Sequence, residues 1–254
     1  YIKDTIVKIR TMTDRLEAVF TIIPTANAIG DIGTDHGYMA VELLTRGKAQ
    51  HVIAGDVNKG PLASAAAYIK KRGLDNNIEC RLGNGLQATK VGELQGAVIC
   101  GMGGFLMRDI VEEGPELLDF YVLQPQNGQA ELRQYMVQRG YKILRDIVMT
   151  DMGKMYQAFL TVRSDIVEQY ISESGPITPK RVVEENPYDG LESNSMLWLV
   201  GAWAEQERPE LWREHIEFLI YQRQCAIDGM TTELAHTEKY QELEREIQEL
   251  KTYV

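Results

Sequence analysis

The chain has 254 residues but only three cysteines, Cys80, Cys100 and Cys225. They are odd in number, far apart, and form no CxxC pair. That argues against a zinc site or a disulfide framework and for a reducing compartment. Cys80 and Cys100 lie in apolar runs and are expected as buried small hydrophobes. There is no run of about 18 apolar residues, so no transmembrane helix is expected. The first residues, Tyr1-Ile2-Lys3-Asp4, carry neither a signal-peptide layout nor an initiator Met, which is consistent with a natural chain that starts earlier. No internal repeat or low-complexity tract is present. Positive charge is scarce: 27 Lys and Arg stand against 37 Asp and Glu, a net charge of −10. Almost all of the excess acid lies beyond residue 163, so the front of the chain could still face a polyanion. The expected location is cytoplasmic.

What is present is an alternation. A short apolar strand opens the stretch Ala28–Tyr38 and runs into its loop, and apolar runs at His51–Asp56, Ile78–Leu82, Gly96–Cys100 and Phe120–Leu123 read as further strands. Helical patterns run over Thr11–Ile23 (capped by Thr11 or Thr13, ended by Pro24), Met39–Leu44, Leu62–Arg72, Phe105–Glu113 and Ala130–Arg139. Strands that are apolar throughout imply a parallel sheet covered on both faces. Two further strands, Tyr141–Met149 and Met155–Val162, are separated only by Thr150–Lys154. That gap is too short for a crossover, so they form an antiparallel hairpin. A parallel α/β sheet closed by such a hairpin is the layout of class I methyltransferases, whereas a dehydrogenase domain usually stays parallel.

Residues 164–194 are polar, with three prolines, and read as a linker with short helical pieces. Beyond Met196 the chain is helical again. Apolar residues from Leu211 to Leu234 and from Leu243 to Val254 recur at coiled-coil spacing. The register breaks near His236-Thr237, which predicts two antiparallel helices. The expected fold is therefore a Rossmann-like α/β domain over 1–163, followed by a helical, coiled-coil-like domain over 164–254.

The carboxyl ends of the parallel strands should line one crevice. The first of them is Gly30-Asp31-Ile32-Gly33-Thr34-Asp35-His36-Gly37-Tyr38. It lacks the GxGxxG spacing that presents bare N–H groups to a pyrophosphate. It also carries two acids, and like charges a few ångströms apart cost on the order of several kcal/mol at an effective dielectric near 20. A dinucleotide is a poor guest there. S-adenosylmethionine, with its ammonium and sulfonium, suits Asp31 and Asp35. Asp56, at the end of the second strand, can accept from both ribose hydroxyls, or else simply start the next helix. Asn84 can pair with an adenine edge, or else shape a turn. Gly101-Met102-Gly103-Gly104 lets backbone approach the methionine end closely. The Asp/Asn-Pro-Pro-aromatic motif of many nucleic-acid amino methyltransferases is absent, which disfavours an exocyclic amine acceptor. His36 and Tyr38 sit beside the methyl donor; either could serve the acceptor or only pack.

The chain resembles the bacterial tRNA adenine-N1 methyltransferases that modify adenine 22. The resemblance covers about the first 163 residues and, more loosely, the helical tail. It rests on Arg15-Leu16-Glu17, Asp31–Tyr38, Gly55-Asp56-Val57, Asn84-Gly85-Leu86, Gly101–Gly104, Leu123-Gln124-Pro125 and Gly153-Lys154. It implies S-adenosyl-L-methionine as cofactor, bound at Asp31, Gly33, Asp56, Val57, Asn84, Gly85, Gly101 and Met102. It implies an acceptor site at Asp35, His36, Tyr38 and Gln124, and a helical tail that helps grip tRNA. No membrane or metal partner is expected. Two positions depart from the family pattern: Asp56 stands where Glu is usual, and Gln126 precedes Asn127 where Asn usually follows Gln-Pro. The cations available to meet RNA are Lys8, Arg10, Arg15, Lys70, Lys71, Arg72, Arg108, Arg133 and Lys154, with Lys180-Arg181 in the linker; if the tail touches RNA, it must do so through a local basic stripe around Arg208, Arg213 and Arg223. Competing readings are a methyltransferase acting on a small molecule or protein, a catalytically silent scaffold, and, more distantly, a nicotinamide enzyme.

Overall fold

The computed structural model describes residues 12–172, 175–178, 186–230 and 237–254. Seven strands form one sheet: β1 (Ala28–Ile32), β2 (His51–Asp56), β3 (Ile78–Leu82), β4 (Gly96–Met102), β5 (Phe120–Pro125), β6 (Tyr141–Asp151) and β7 (Lys154–Arg163). Their order is β3-β2-β1-β4-β5-β7-β6. The first five run parallel, and β7 pairs antiparallel with both β5 and β6. The expected terminal hairpin is present, with Asp151 opposite Lys154. The chain order reverses direction between β1 and β4, which is where an open α/β sheet opens a crevice at its carboxyl edge.

Five helices cover the sheet: α1 (Asp14–Thr21), α2 (Tyr38–Thr45), α3 (Lys59–Lys71), α4 (Gly104–Glu112) and α5 (Gln129–Gln138). One core joins Phe20, Val41 and Ile69 to one set of strand residues. A second joins Met107, Ile110, Leu132 and Met136 to the other. These are the two covered faces that the uniformly apolar strands imply. Boundaries differ from expectation where turn chemistry decides. Thr13, not Thr11, caps α1, its Oγ1 accepting from Leu16 N at 3.3 Å. The helix α3 begins three residues early, because Pro61 falls in its first turn, where a missing N–H costs nothing. Strands β4 and β5 run two residues further than read, across a register shift between Cys100 and Met102. Cys80 and Cys100 are only part-buried, while Cys225 is exposed.

Among the described residues, four α-helices follow the sheet: α6 (Leu197–Val200), α7 (Ala202–Glu207), α8 (Trp212–Asp228) and α9 (Glu238–Leu250). The last two run antiparallel: Trp212 Nε1 donates to Tyr253 O at 2.8 Å, and Arg223 meets Glu246 at 2.7 Å. The helix expected to reach Leu234 stops at Asp228; Leu234 and His236 lie outside the described residues, as do Lys3, Lys8, Arg10, Thr11 and Lys180-Arg181. The sheet ends at the expected boundary, but its packing does not. Tyr188, Trp198 and Trp203 share a core with β4, β5 and α5.

A buried ion pair sits at that junction. Arg133 on α5 and Asp146 on β6 meet at 2.9 Å, with side chains 0% and 1% exposed. Asp146 also accepts from Tyr188 Oη at 2.6 Å and Trp203 N at 3.2 Å. Arg133 also donates to Gln157 Oε1 at 2.8 Å and Trp198 O at 2.9 Å. Arg133 is thus a structural cation, unavailable to RNA, contrary to the sequence expectation. Arg208, Arg213 and Arg223 each pair with a glutamate, at 3.3, 2.9 and 2.7 Å.

Candidate active site

Strand β1 carries Asp31 to the crevice between β2 and β4, where it stands opposite Ala54 and Val98. The chain then turns through Gly33 at φ +81° and Gly37 at φ +70°. A Cβ on Gly33 would come within 2.0 Å of Met102 Cε, so the loop lies tightly against the β4 tail. Gly37 starts α2 without a side-chain cap. Asp31 replaces that cap: its Oδ2 accepts from Ala40 N at 3.2 Å.

Asp31 is 8% exposed. Burial pushes its carboxyl up to about 6, against smaller lowering from Thr34 and Ala40, and the Asp56 charge adds to the rise. The Thr34 hydroxyl is near enough to act on that charge, yet its Oγ1 finds no partner of hydrogen-bond geometry. Two features therefore ask for a ligand: a buried acid held against ionisation, and a buried hydroxyl left unpaired. A cationic group would relieve the first. The remaining carboxylate, Asp56, stands at the end of β2 and accepts from Asn58 N at 2.6 Å, so it also shapes the start of α3.

Val57 is exposed beside Asp56. Asn84 is exposed at the end of β3, with Nδ2 3.5 Å from Glu113 Oε2. Gly85 has φ +54°, and a Cβ there would strike Ile110 at 2.9 Å. Gly101 and Met102 form the end of β4. The residues named from the sequence for the cofactor thus sit on the carboxyl ends of β1 to β4.

The acceptor-side residues divide. Asp35 and His36 are largely in solvent, and His36 Nε2 is 3.5 Å from Asp35 Oδ2. Tyr38 is part-buried between His36 (ring centroids 5.4 Å) and Tyr68 (5.2 Å, edge-on). Gln124 is 0% exposed. Its Oε1 accepts from Gly101 N at 3.1 Å and from Arg15 Nη1. Gln124 therefore fixes the β4 tail and presents no free edge.

Arg15 is one of the cations that the sequence reading offered to RNA. Instead its guanidinium reaches from α1 to Gln124, lies 5.4 Å over the Tyr156 ring and is 3.9 Å from Asp151. The signal was present: Arg15 belongs to the motif ahead of the loop. Among the described residues no helix is long and apolar enough to cross a membrane, and no group of three His, Cys, Asp or Glu could hold a metal.

Against proteins already known, the chain is 32% identical over 157 residues to the tRNA (adenine(22)-N(1))-methyltransferase of Bacillus subtilis (strain 168). That match takes in 61% of this chain and 66% of the relative, just under two thirds of its length. A putative tRNA methyltransferase of Mycoplasma pneumoniae is 27% identical over 158 residues, 61% of this chain and 73% of that protein. Among solved structures, the B. subtilis M1A22 tRNA methyltransferase TrmK superposes with a TM-score of 0.74 at 26% identity, covering 95% of this chain and 98% of that one. A Streptococcus pneumoniae putative tRNA (m1A22) methyltransferase in complex with S-adenosyl-L-methionine superposes with a TM-score of 0.75 at 24% identity, over 95% and 99% of the two chains, and shares the fold. Residues 12–159, more than half of the chain, match the family described as Methyltransferase domain, and the seven-stranded sheet with its carboxyl-edge crevice agrees; the chain belongs to that family.

Proposed function

We propose that the chain transfers a methyl group from S-adenosyl-L-methionine to N1 of adenine 22 in tRNA. The observation that carries the cofactor assignment is Asp31, a buried acid held near pH 6 beside an unpaired Thr34 hydroxyl. A diphosphate would meet two carboxylates there; a cationic donor meets its counter-charge. The kinship to a tRNA (adenine(22)-N(1))-methyltransferase supports the acceptor. In this reading Asp31, Gly33, Asp56, Val57, Asn84, Gly85, Gly101 and Met102 hold the cofactor, which supplies an electrophilic methyl group.

The chain's own residues then position the base. Adenine N1 bears an in-plane lone pair on the Watson–Crick edge, so the base must be unpaired or extruded, at a few kcal/mol. Tyr38, beside His36 and Tyr68, offers a flat face for it. The methylated base is cationic. Asp35 carries the complementary charge, and because it stands in solvent its influence grows only when RNA covers it. Gln124 acts through Gly101, as a positioning residue. Most of the acceleration comes from holding two reactants in line. A tRNA substrate also sets the chain in the cytoplasm.

The test is mass spectrometry of tRNA nucleosides after incubation with protein and cofactor. New 1-methyladenosine at position 22 is the expected product. Its absence, with methyl transfer to metabolites or protein instead, would overturn the acceptor assignment.

A further inference from the structure

A second concavity adjoins the crevice. A cavity of about 370 Å³ lies between the β5 tail, the start of β7 and the helix α8. Pockets for small organic groups span about 300–1,000 Å³. Four carboxamides line it: Gln126, Gln129 and Gln222 each offer both a donor and an acceptor, while the Gln157 oxygen already accepts from Arg133. Tyr156 and Phe218 add flat aromatic faces, and the exposed Lys154 adds a cation. Amides with aromatic faces and one cation suit a nucleobase and its phosphate.

Among the buried residues of the lining, His215, 1% exposed, is the one with a titratable ring. Its Nε2 is 3.2 Å from the Val200 carbonyl oxygen. A carbonyl only accepts, so Nε2 carries the proton and Nδ1 keeps its lone pair. Nδ1 is buried and has no hydrogen-bond partner. An acceptor left unpaired at a cavity wall calls for a donor from outside the chain.

Two residues connect the cavity wall to the β4 tail. Gln126 Nε2 lies 3.9 Å from where a Cβ on Gly101 would stand. Arg15, which holds Gln124, covers the Tyr156 ring.

We propose that this cavity is a second base site, which holds an unpaired nucleobase bearing an exocyclic amine, next in the RNA to the adenine that is methylated. The amine donates to His215 Nδ1, the ring stacks on Tyr156 or Phe218, and Lys154 meets the phosphate. The inference rests on the tRNA reading above.

The test measures tRNA affinity by fluorescence anisotropy, which needs no methyl transfer, alongside kcat and KM for methylation. Phe218→Ala and Gln222→Ala are expected to weaken tRNA binding on the order of tenfold, with kcat and cofactor affinity unchanged. His215→Phe keeps an aromatic ring and drops the acceptor. It should lose affinity for tRNA with the natural neighbour, but match wild type when that neighbour is replaced by uridine. Wild-type affinity in all three variants would overturn the cavity assignment. A fall in kcat at unchanged affinity would also overturn it, by making the cavity the seat of the methylated base itself. A wild type that binds tRNA tightly but forms no 1-methyladenosine would instead overturn the proposed reaction and leave the base site standing.

Discussion

Replacing Asp31 by Asn separates what the acid costs the fold from what it gives the cofactor. The folded-state pKa is raised from 3.8 to about 6, chiefly by burial. Each pKa unit is worth about 1.36 kcal/mol, so the ionised side chain penalises the folded state by about 3 kcal/mol. The folded state holds the proton more tightly than the unfolded one. Its advantage is complete below about pH 3.8, is lost as pH rises towards 6, and is gone above that. Asn carries no proton to lose, and its side-chain oxygen can still accept from Ala40 N. Urea unfolding of wild type and Asp31→Asn should therefore give a stability difference that grows from pH 4 to 6 and levels off at about 3 kcal/mol in favour of the variant. Cofactor binding should move the other way. A cation beside Asp31 favours the carboxylate, so the Kd for S-adenosylmethionine should rise about tenfold per pH unit below pH 6. Calorimetry in buffers of different ionisation enthalpy should show proton release on binding at pH 5.5 and little at pH 7.5. A stability difference that does not change with pH, or a Kd flat from pH 5 to 7, would refute the assignment of Asp31 as a strained acid relieved by a cationic ligand.

Three other outcomes follow from the same geometry. Asp146→Ala strips a buried guanidinium of its counter-charge, at about 3–5 kcal/mol, and should lower Tm by on the order of 10 °C in scanning fluorimetry. Arg15→Met keeps the stem but removes one of the donors to Gln124; a loss of about 1–2 kcal/mol in kcat/KM for tRNA is expected, with cofactor Kd little changed. Asp35→Ala should reduce kcat on the order of tenfold in a single-turnover assay without weakening cofactor binding; methylation at the wild-type rate would remove Asp35 from the reaction.

The sheet was legible in the sequence because its strands are buried on both faces and so read as short apolar runs closed by Gly or Asp. Strands β2 and β3 match their expected limits residue for residue. The carboxyl-edge placement of Asp31, Asp56, Asn84 and Gly101 was legible for a related reason: each lies at the tail of one parallel strand, so local pattern alone brings them to one crevice. The acceptor side was not, since it depends on residues distant in sequence. Arg15 and Gln124 are 109 positions apart. His215, Phe218 and Gln222 read only as helix positions until α8 is seen against β7. The list of available cations misled because composition counts cations without counting their partners. Arg133, Arg213 and Arg223 are each held by carboxylates that no linear pattern announces.

The lock around Arg133 bears on distance as much as on stability. Gln157, which accepts from Arg133, also lines the second cavity. Asp146 and Trp198, in the same network, hold the chain that leads into α8. One guanidinium thus sets the spacing between the strand tails and the helical pair. Such a spacing works as a ruler laid between the carboxyl-edge crevice and the paired helices α8 and α9.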